Sequence, residues 1–299
     1  MQNVKSAVRK IFAFPIIFAL AYVRFLKHLH KGLGFSTQEQ LETLSVDSWG
    51  TVEHQTGETV LNLTFLTPNR VCDFRVATFA TKEPETLAWI DEFGGGGAFY
   101  DVGANIGLYS VYYAKRHTGN VYAFEPSVFN LSLLARNAAA NEVGDRIIIV
   151  PTPLTASEEI SQFRLTSTQM GAALSSFGLD VGFDGHPIQT IFEYTTLGVS
   201  LDFLVRHALV AEPPVLLKID VDGIEHLVLR GATEILDAPS LKSVLIEVNN
   251  EVKEFAQLIE SSLQSHGFEL VDVVHGSMFK GTAYSSIGNQ IWTRRTFNT

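Results

Sequence analysis

"FYDVGANIGLYSVYYAK", residues 99–115, opens as a buried strand at Phe99 and Tyr100, turns through a glycine-bearing loop at 101–107, and continues as an apolar helix. The same strand-then-helix phrase recurs downstream. "VYAFE" precedes "NLSLLARNAAAN", "VLLKID" precedes "IEHLVLRGATEIL", and "SVLIEV" precedes "VKEFAQLIESSLQSHG". Strands this apolar, alternating with helices, predict an α/β fold with a doubly wound, mostly parallel sheet covered on both faces. The last two strand-like stretches, "FELVDVV" and "NQIWTRR", have no long helix between them, which predicts a closing antiparallel strand. In such a sheet the ligand crevice lies at the carboxyl ends of the strands.

The turn at 101–107 therefore faces a ligand. Gly103 and Gly107 remove side chains where the chain bends and where backbone N–H groups at a helix start can meet a polar atom. The spacing is D-x-G-x-x-x-G, which lacks the dinucleotide G-x-G-x-x-G and favours a ligand without a pyrophosphate. Glu125 follows Gly103 by 22 residues at the end of the second strand, where a carboxylate can accept both hydroxyls of a ribose. Its bland reading is a charge at the start of the next helix. Loop and carboxylate together point to an adenosine-containing cofactor.

Composition narrows the partners. The 299 residues are 46% hydrophobic, enough for one large domain with an accessory segment. A net charge of −10 with 22 scattered basic residues excludes nucleic acid as a partner. One cysteine, Cys72, and nine histidines without metal-ligand spacing offer neither an internal disulfide nor a zinc site, so a reducing, cytoplasmic setting is expected. Residues 1–35 carry an uncharged apolar run, 11–23, flanked by Lys and Arg. At 13 residues it is too short to span a bilayer. It reads as a secretory signal, as a peripheral membrane contact, or as a helix packed on the domain or a partner. Oligomeric state is not legible.

Residues 36–97 read as a small β-rich lead-in. "TVEHQTGETVLNLTFL" (51–66) is a hairpin with a polar turn at 55–58, and "NRVCDFRVATF" (69–79) alternates imperfectly as a further strand. "EPETLAWIDEF" (83–93) is a helix with Leu87, Ile90 and Phe93 on one face, and the glycines at 94–97 end it at a domain boundary. The remaining domain is 98–299. Within it, 152–199 reads as a long irregular excursion beside the crevice, where Phe177, Phe183 and Phe192 are candidates for an apolar acceptor pocket.

"FYDVGANIGLYSVYYAK", "VYAFEPS", "KIDVDGIEHLVLRGA" and "VLIEVN" together resemble the FkbM family of S-adenosylmethionine (SAM)-dependent methyltransferases, from about residue 82 to the C-terminus. The resemblance implies a class I methyltransferase fold and methyl transfer to the oxygen of a sugar, lipid or polyketide-like acceptor. It also implies that Gly103 and Gly107 shape the cofactor turn, that Asp101 and Asn105 meet the methionine part, and that Glu125 takes the ribose. Asp222 stands where the family carries Glu, Phe203 replaces the second Asp of an L-D-D segment, and Thr152–Thr155 depart from the family's A-L-S-D turn.

Methyl transfer to a hydroxyl is an in-line displacement that needs alignment and a proton acceptor. Asp220 is the expected positioning residue, with Asp222 or His226 as base; a solvent-facing His226 and a helix-capping Glu225 are the bland readings. Lys218, inside an apolar strand, requires a carboxylate partner, for which Glu247 on the next strand is the candidate. Oxygen ligation of Mg²⁺ by Asp220, Asp222, Glu247 and Asn249 is an alternative disfavoured by the repulsion of Lys218. A cofactor-binding but inactive scaffold and an NAD-type oxidoreductase are the competing functions; the missing glycine spacing speaks against the second.

Overall fold

The computed structural model describes Phe18, Ala21, Tyr22, residues 48–276, 278, 281–282 and 284–295. The readings placed on 1–35 otherwise lie outside the described residues, among which no helix is long and apolar enough to cross a membrane. Trp49–Thr299 forms one compact unit.

That unit opens with an antiparallel hairpin, β1 (Trp49–Thr56) and β2 (Thr59–Leu66). The stretch expected as a third strand is instead a helix, α1 (Arg70–Ala77). Local capping overrides the imperfect alternation: the Asn69 side chain accepts from the N–H groups of Val71 and Cys72, which closes the first turn. Helix α2 (Pro84–Phe93) starts on its proline and buries Leu87, Trp89 and Ile90. Gly94–Gly97 then lead into β3 (Ala98–Val102). They join two parts of one core, because Leu63, Phe65, Trp89 and Ile90 cluster with Phe99, Val111 and Tyr113. The expected division at residue 97 therefore cuts across a continuous apolar core.

From β3 the chain alternates through α3 (Leu108–Arg116), β4 (Val121–Phe124), α4 (Val128–Ala140) and β5 (Ile147–Val150). After the excursion it resumes with α5 (Leu201–Arg206), β9 (Pro214–Ile219), α6 (Glu225–Arg230), α7 (Thr233–Asp237), β10 (Ser243–Asn249), α8 (Lys253–Ser265), β11 (Phe268–Val274) and β12 (Ile287–Arg294). The seven-stranded sheet runs β11-β12-β10-β9-β3-β4-β5, with β12 antiparallel to both neighbours and the remaining neighbouring pairs parallel. This is the class I methyltransferase arrangement. Strands β3 and β9 are buried along their whole length, as central strands sandwiched between helical layers must be.

Two expectations need correction. The helix predicted through "IEHLVLRGATEIL" is two short helices, the first capped at Gly231, where a side chain would meet the Thr155 carbonyl oxygen at 2.3 Å. The excursion is not irregular: β6 (Glu159–Leu165), β7 (Ser175–Phe177) and β8 (Phe192–Gly198) form an antiparallel sheet in the order β7-β6-β8. Phe163, Leu165, Phe177 and Ile224 close a small core beneath it.

Buried asparagines tie hairpin, turn and helix together. Asn137 of α4 accepts from Leu66 N–H at 2.8 Å and donates to the Ile106 carbonyl at 2.8 Å. Replacing it with alanine strands two buried backbone groups. Asn137→Ala is expected to lower the unfolding free energy by about 2–4 kcal/mol in urea denaturation, and a loss below about 1 kcal/mol would show that water replaces the side chain.

Candidate active site

Parallel register lines up the site. Phe124 pairs with Val102, Val102 with Ile219, and Ile219 with Ile246. One residue further along each strand, Glu125, Gly103, Asp220 and Glu247 form a row across the carboxyl edge, and Asn289 of β12 stands opposite Glu247. A cavity of about 530 Å³ opens over this row, bordered by Asn105 and Asp222 as well. Its size falls within the range of small-molecule sites.

The turn is built differently from the expectation. Gly103 has φ +85°, and a Cβ there would meet the Asp220 carbonyl oxygen at 1.8 Å, so only glycine lets the turn lie against β9. Its N–H groups are engaged internally: Gly103 and Ala104 donate to the Phe124 carbonyl, Asn105 to Glu125, Ile106 to the Asn105 side chain, and Gly107 to Ala104. None is left to face a ligand. Gly107, with φ +83°, does not line the cavity; a side chain there would strike Leu134 at 2.3 Å. Asp101 does not reach the cavity either. It is buried under the turn, accepts from the Ser110 hydroxyl at 2.5 Å, and is pushed up in pKa by that burial.

Glu125 and Asn105 do line the cavity. The Glu125 carboxylate accepts from Asn105 and Ser127 N–H groups at 2.7 Å each. Burial nevertheless pushes its pKa up to about 7. Asn105 has φ +51° and donates to the Ala172 carbonyl at 2.9 Å. Asn130, one turn into α4, donates to the same carbonyl and accepts from Gly171 N–H. These bonds, together with Arg75, which donates to the Gly171 carbonyl at 2.7 Å, tie the 166–174 segment to the Glu125 end of the cavity.

On the other side, Asp220 accepts from the Lys218 ammonium at 2.7 Å. Lys218 is 1% exposed. The expected Lys218–Glu247 pair does not form, because Leu245 registers with Lys218 and Glu247 lies two residues beyond. The partners are Asp220, on the same face of the same strand, and Asp101, directly across on β3. Burial pushes the Asp220 carboxyl up, but Lys218 and Lys82 outweigh it and hold it below the usual range. Asp222 sits at φ +61°, a strained conformation for a side chain, with one carboxylate oxygen taking the N–H groups of Leu174 and Ser175. Burial and then the Asp220 charge lift its pKa to about 6.

His226 is a correction. It lies outside the cavity lining, 9% exposed, stacked on Phe255 of α8 at 4.1 Å between ring centroids. The helix geometry that puts Glu225 toward the loop turns the next residue toward α8. Glu225 itself accepts from Val221 and Gly223 N–H groups and so braces the 220–223 loop. Phe177 and Phe183 line the cavity; Phe192 does not, packing against Phe129 and Tyr194.

Sequence reasoning missed Lys82, Glu83 and Glu85, which enter the cavity from the start of α2. Glu83 takes Lys82 and the Tyr109 hydroxyl, and Glu85 takes the Asn289 amide at 2.8 Å. The signal was the charged "KEPE" at a helix start, which reads equally well as capping. Among the described residues no group of three or more His, Cys, Asp or Glu side chains is placed to share a metal ion.

Glu225 generates a stability test. Burial lifts its pKa to about 7 from an ordinary carboxylate value, so the folded chain binds more protons than the unfolded one between about pH 4.5 and 7. Its contribution is present below that window and lost as pH rises through it. Glu225→Gln keeps the accepting oxygen, and should flatten the fall in unfolding free energy between pH 5 and 8 by about 2 kcal/mol, measured by urea denaturation at each pH. An unchanged slope would show that Glu225 is hydrated.

Residues 101–270 match the family model of the methyltransferase FkbM domain. The 31-O-demethyl-FK506 methyltransferase FkbM of Streptomyces tacrolimicus is 28% identical over 224 residues, covering 67% of this chain and 82% of that protein. Among solved structures, methyltransferase FkbM from Methylobacillus flagellatus aligns at 13% identity and a TM-score of 0.46, over 75% of this chain. The chain spans about half the length of that protein, 52%. Aeropyrum pernix fibrillarin, a complex with S-adenosyl-L-methionine, aligns at 12% identity and a TM-score of 0.44, over 83% of this chain and 99% of its own. Likenesses at this structural level assign neither substrate nor partner. The family model, matching more than half of the chain, shows that the protein belongs to the FkbM family of SAM-dependent methyltransferases.

Proposed function

We propose that this chain methylates a hydroxyl oxygen on a sugar, lipid or secondary-metabolite acceptor, with Glu125, Gly103 and Asn105 framing the SAM site. The observation that carries this is the register row, which puts a desolvated carboxylate at one end of the cavity and a second set of polar groups at the other. The name of the Streptomyces tacrolimicus relative likewise places its methyl transfer at oxygen.

The residues present fit the cofactor. Glu125 offers a buried carboxylate beside open space, where two ribose hydroxyls replace the water that burial has removed. Leu154, Phe163, Phe177 and Ile224 supply an apolar wall on the same side, suited to a flat base. Gly103 keeps the floor free of a side chain between Glu125 and Asp220. When bound, SAM supplies an activated methyl group on a positively charged sulfur.

The chain's own part is alignment. Lys218 fixes the Asp220 carboxylate as a charged, single-orientation acceptor, able to hold a cationic or hydrogen-bonding group at the junction of the two halves. Asp222 ties the 166–174 segment down at Leu174 and Ser175, which shields the junction from water. Lys82, Glu83, Glu85 and Asn289 give the acceptor half closely spaced donors and acceptors, as a polyhydroxyl group requires.

Calorimetry with S-adenosylhomocysteine (SAH), with NAD as the control ligand, tests the assignment. Micromolar binding of SAH and none of NAD is expected. Glu125→Ala should weaken SAH by about 1.5–3 kcal/mol, the range for a lost charge-assisted hydrogen bond. Absence of SAH binding would leave the cavity to another ligand, and unchanged affinity in the variant would move Glu125 to a purely structural role.

A further inference from the structure

We infer that Glu247 is the catalytic residue that takes the proton from the acceptor hydroxyl. The inference rests on the methyltransferase reading above and assigns the one role that the residues picked from sequence leave unfilled.

Position comes first. Neighbouring strands lie about 4.8 Å apart, so the row places Glu247 one strand beyond Asp220, about 10 Å from Gly103 and about 14 Å from Glu125. With the cofactor at the Glu125 and Gly103 end, the oxygen to be methylated arrives from the far side of Asp220. Glu247 borders the cavity, opposite Asn289 in the ladder and within reach of the Lys82 charge.

Availability comes second. Each of the other carboxyl groups of the cavity already accepts at least one hydrogen bond, although Glu85 Oε2 is left without a partner. Glu125 holds two backbone N–H groups, Asp220 holds Lys218, and Asp222 holds Leu174 and Ser175. Glu83 is taken by Lys82 and Tyr109, and Glu85 by Asn289. Among the described residues Glu247 accepts no hydrogen bond, although it faces both the cavity and a cross-strand amide donor that turns to Glu85 instead. A carboxyl without a partner inside a polar cavity is the group left to meet the substrate.

Electrostatics supplies the timing. Glu247 is faced by carboxylates from three directions: Asp220 and Asp222 from the loop after β9, Glu225 from α6, and Glu83 from the start of α2. Lys82 is the cation on the same side. Burial first, and then these charges, push the Glu247 pKa well up. Positive charge arriving beside Asp220 pulls the Glu247 pKa back down and favours its carboxylate. The carboxylate so formed is then ready for the acceptor. As the new oxygen–carbon bond forms and the sulfur–carbon bond breaks, the bonding pair stays on sulfur and the hydroxyl proton passes to Glu247. The products are the methyl ether, neutral SAH and a protonated Glu247.

SAM and SAH differ by the charged methyl, so comparing their proton linkage isolates the response to that charge, and Glu247→Gln separates Glu247 from Asp222 and Glu225, whose pKa values are also raised. The full chain is titrated with each ligand at pH 7 in phosphate and in Tris, whose ionisation enthalpies differ. SAM is expected to release more protons than SAH. The SAM-to-SAH affinity ratio is accordingly expected to rise with pH. Glu247→Gln should bind both ligands within about threefold of the wild type and lose the difference in protons released, and Glu247→Asp should restore it. Equal proton release by the two ligands in the wild type, or a difference that survives in Glu247→Gln, overturns the assignment. If Glu247→Gln does not fold, the wild-type difference together with Glu247→Asp decides. Failure of both ligands to bind the wild type overturns the methyltransferase reading, and this inference with it.

Discussion

A lysine 1% exposed in the middle of the central sheet is the constraint on which the site depends. An ammonium in that position is costly unless it is met by negative charge, and two carboxylates meet it: Asp220 at 2.7 Å and Asp101 across the ladder, with the Tyr109 ring 5.2 Å from the nitrogen. Burial pulls the Lys218 pKa down, but Asp220, Asp101 and Glu83 together hold it above the ordinary lysine value. The same pairing keeps Asp220 ionised and immobile. Geometry at the carboxyl edge of β9 is therefore fixed by charge neutralisation, and the loop at 220–223, braced by Glu225, follows from it.

The turn after β3 shows a second economy. Its N–H groups close on Phe124, Glu125, Asn105 and Ala104, so the turn is rigid without a ligand. Recognition then falls to side chains and to the 166–174 segment, which Asn105, Asn130, Arg75 and Asp222 hold from four different elements. A segment anchored at both halves of the cavity keeps the Glu125 and Asp220 ends in a constant relation. Preorganisation of this kind is what an alignment-limited reaction asks of its protein.

Several parts of this were legible in the chain alone. The apolar runs at 98–102, 121–124, 214–219 and 243–249 are strands because each is short, rich in branched or aromatic side chains, and followed by a helical period. Gly103, Asn105, Glu125, Asp220 and Asp222 all border the cavity, since ends of parallel strands converge by topology. Asp101, Gly107 and His226 do not, because the direction of a side chain at a turn or on a helix depends on one residue of phase. Residues 69–79 went wrong for a local reason, the Asn69 cap. The excursion at 152–199 went wrong for a distant one: β6 finds its partner strand β8 some thirty residues later.

Hydrophobic period and glycine position act over a few residues, and from them alone come the layered α/β class, the place of the crevice and the carboxylate at one end of it. Tertiary structure alone decided which charges pair. Register set Lys218 against Asp101 and Asp220 rather than Glu247, and packing of α2 delivered Lys82, Glu83 and Glu85 to a wall completed by Asn289, some two hundred residues away. Charge pairing is decided by distance in three dimensions and by the removal of water around it, and neither quantity is written in the spacing of residues along the chain.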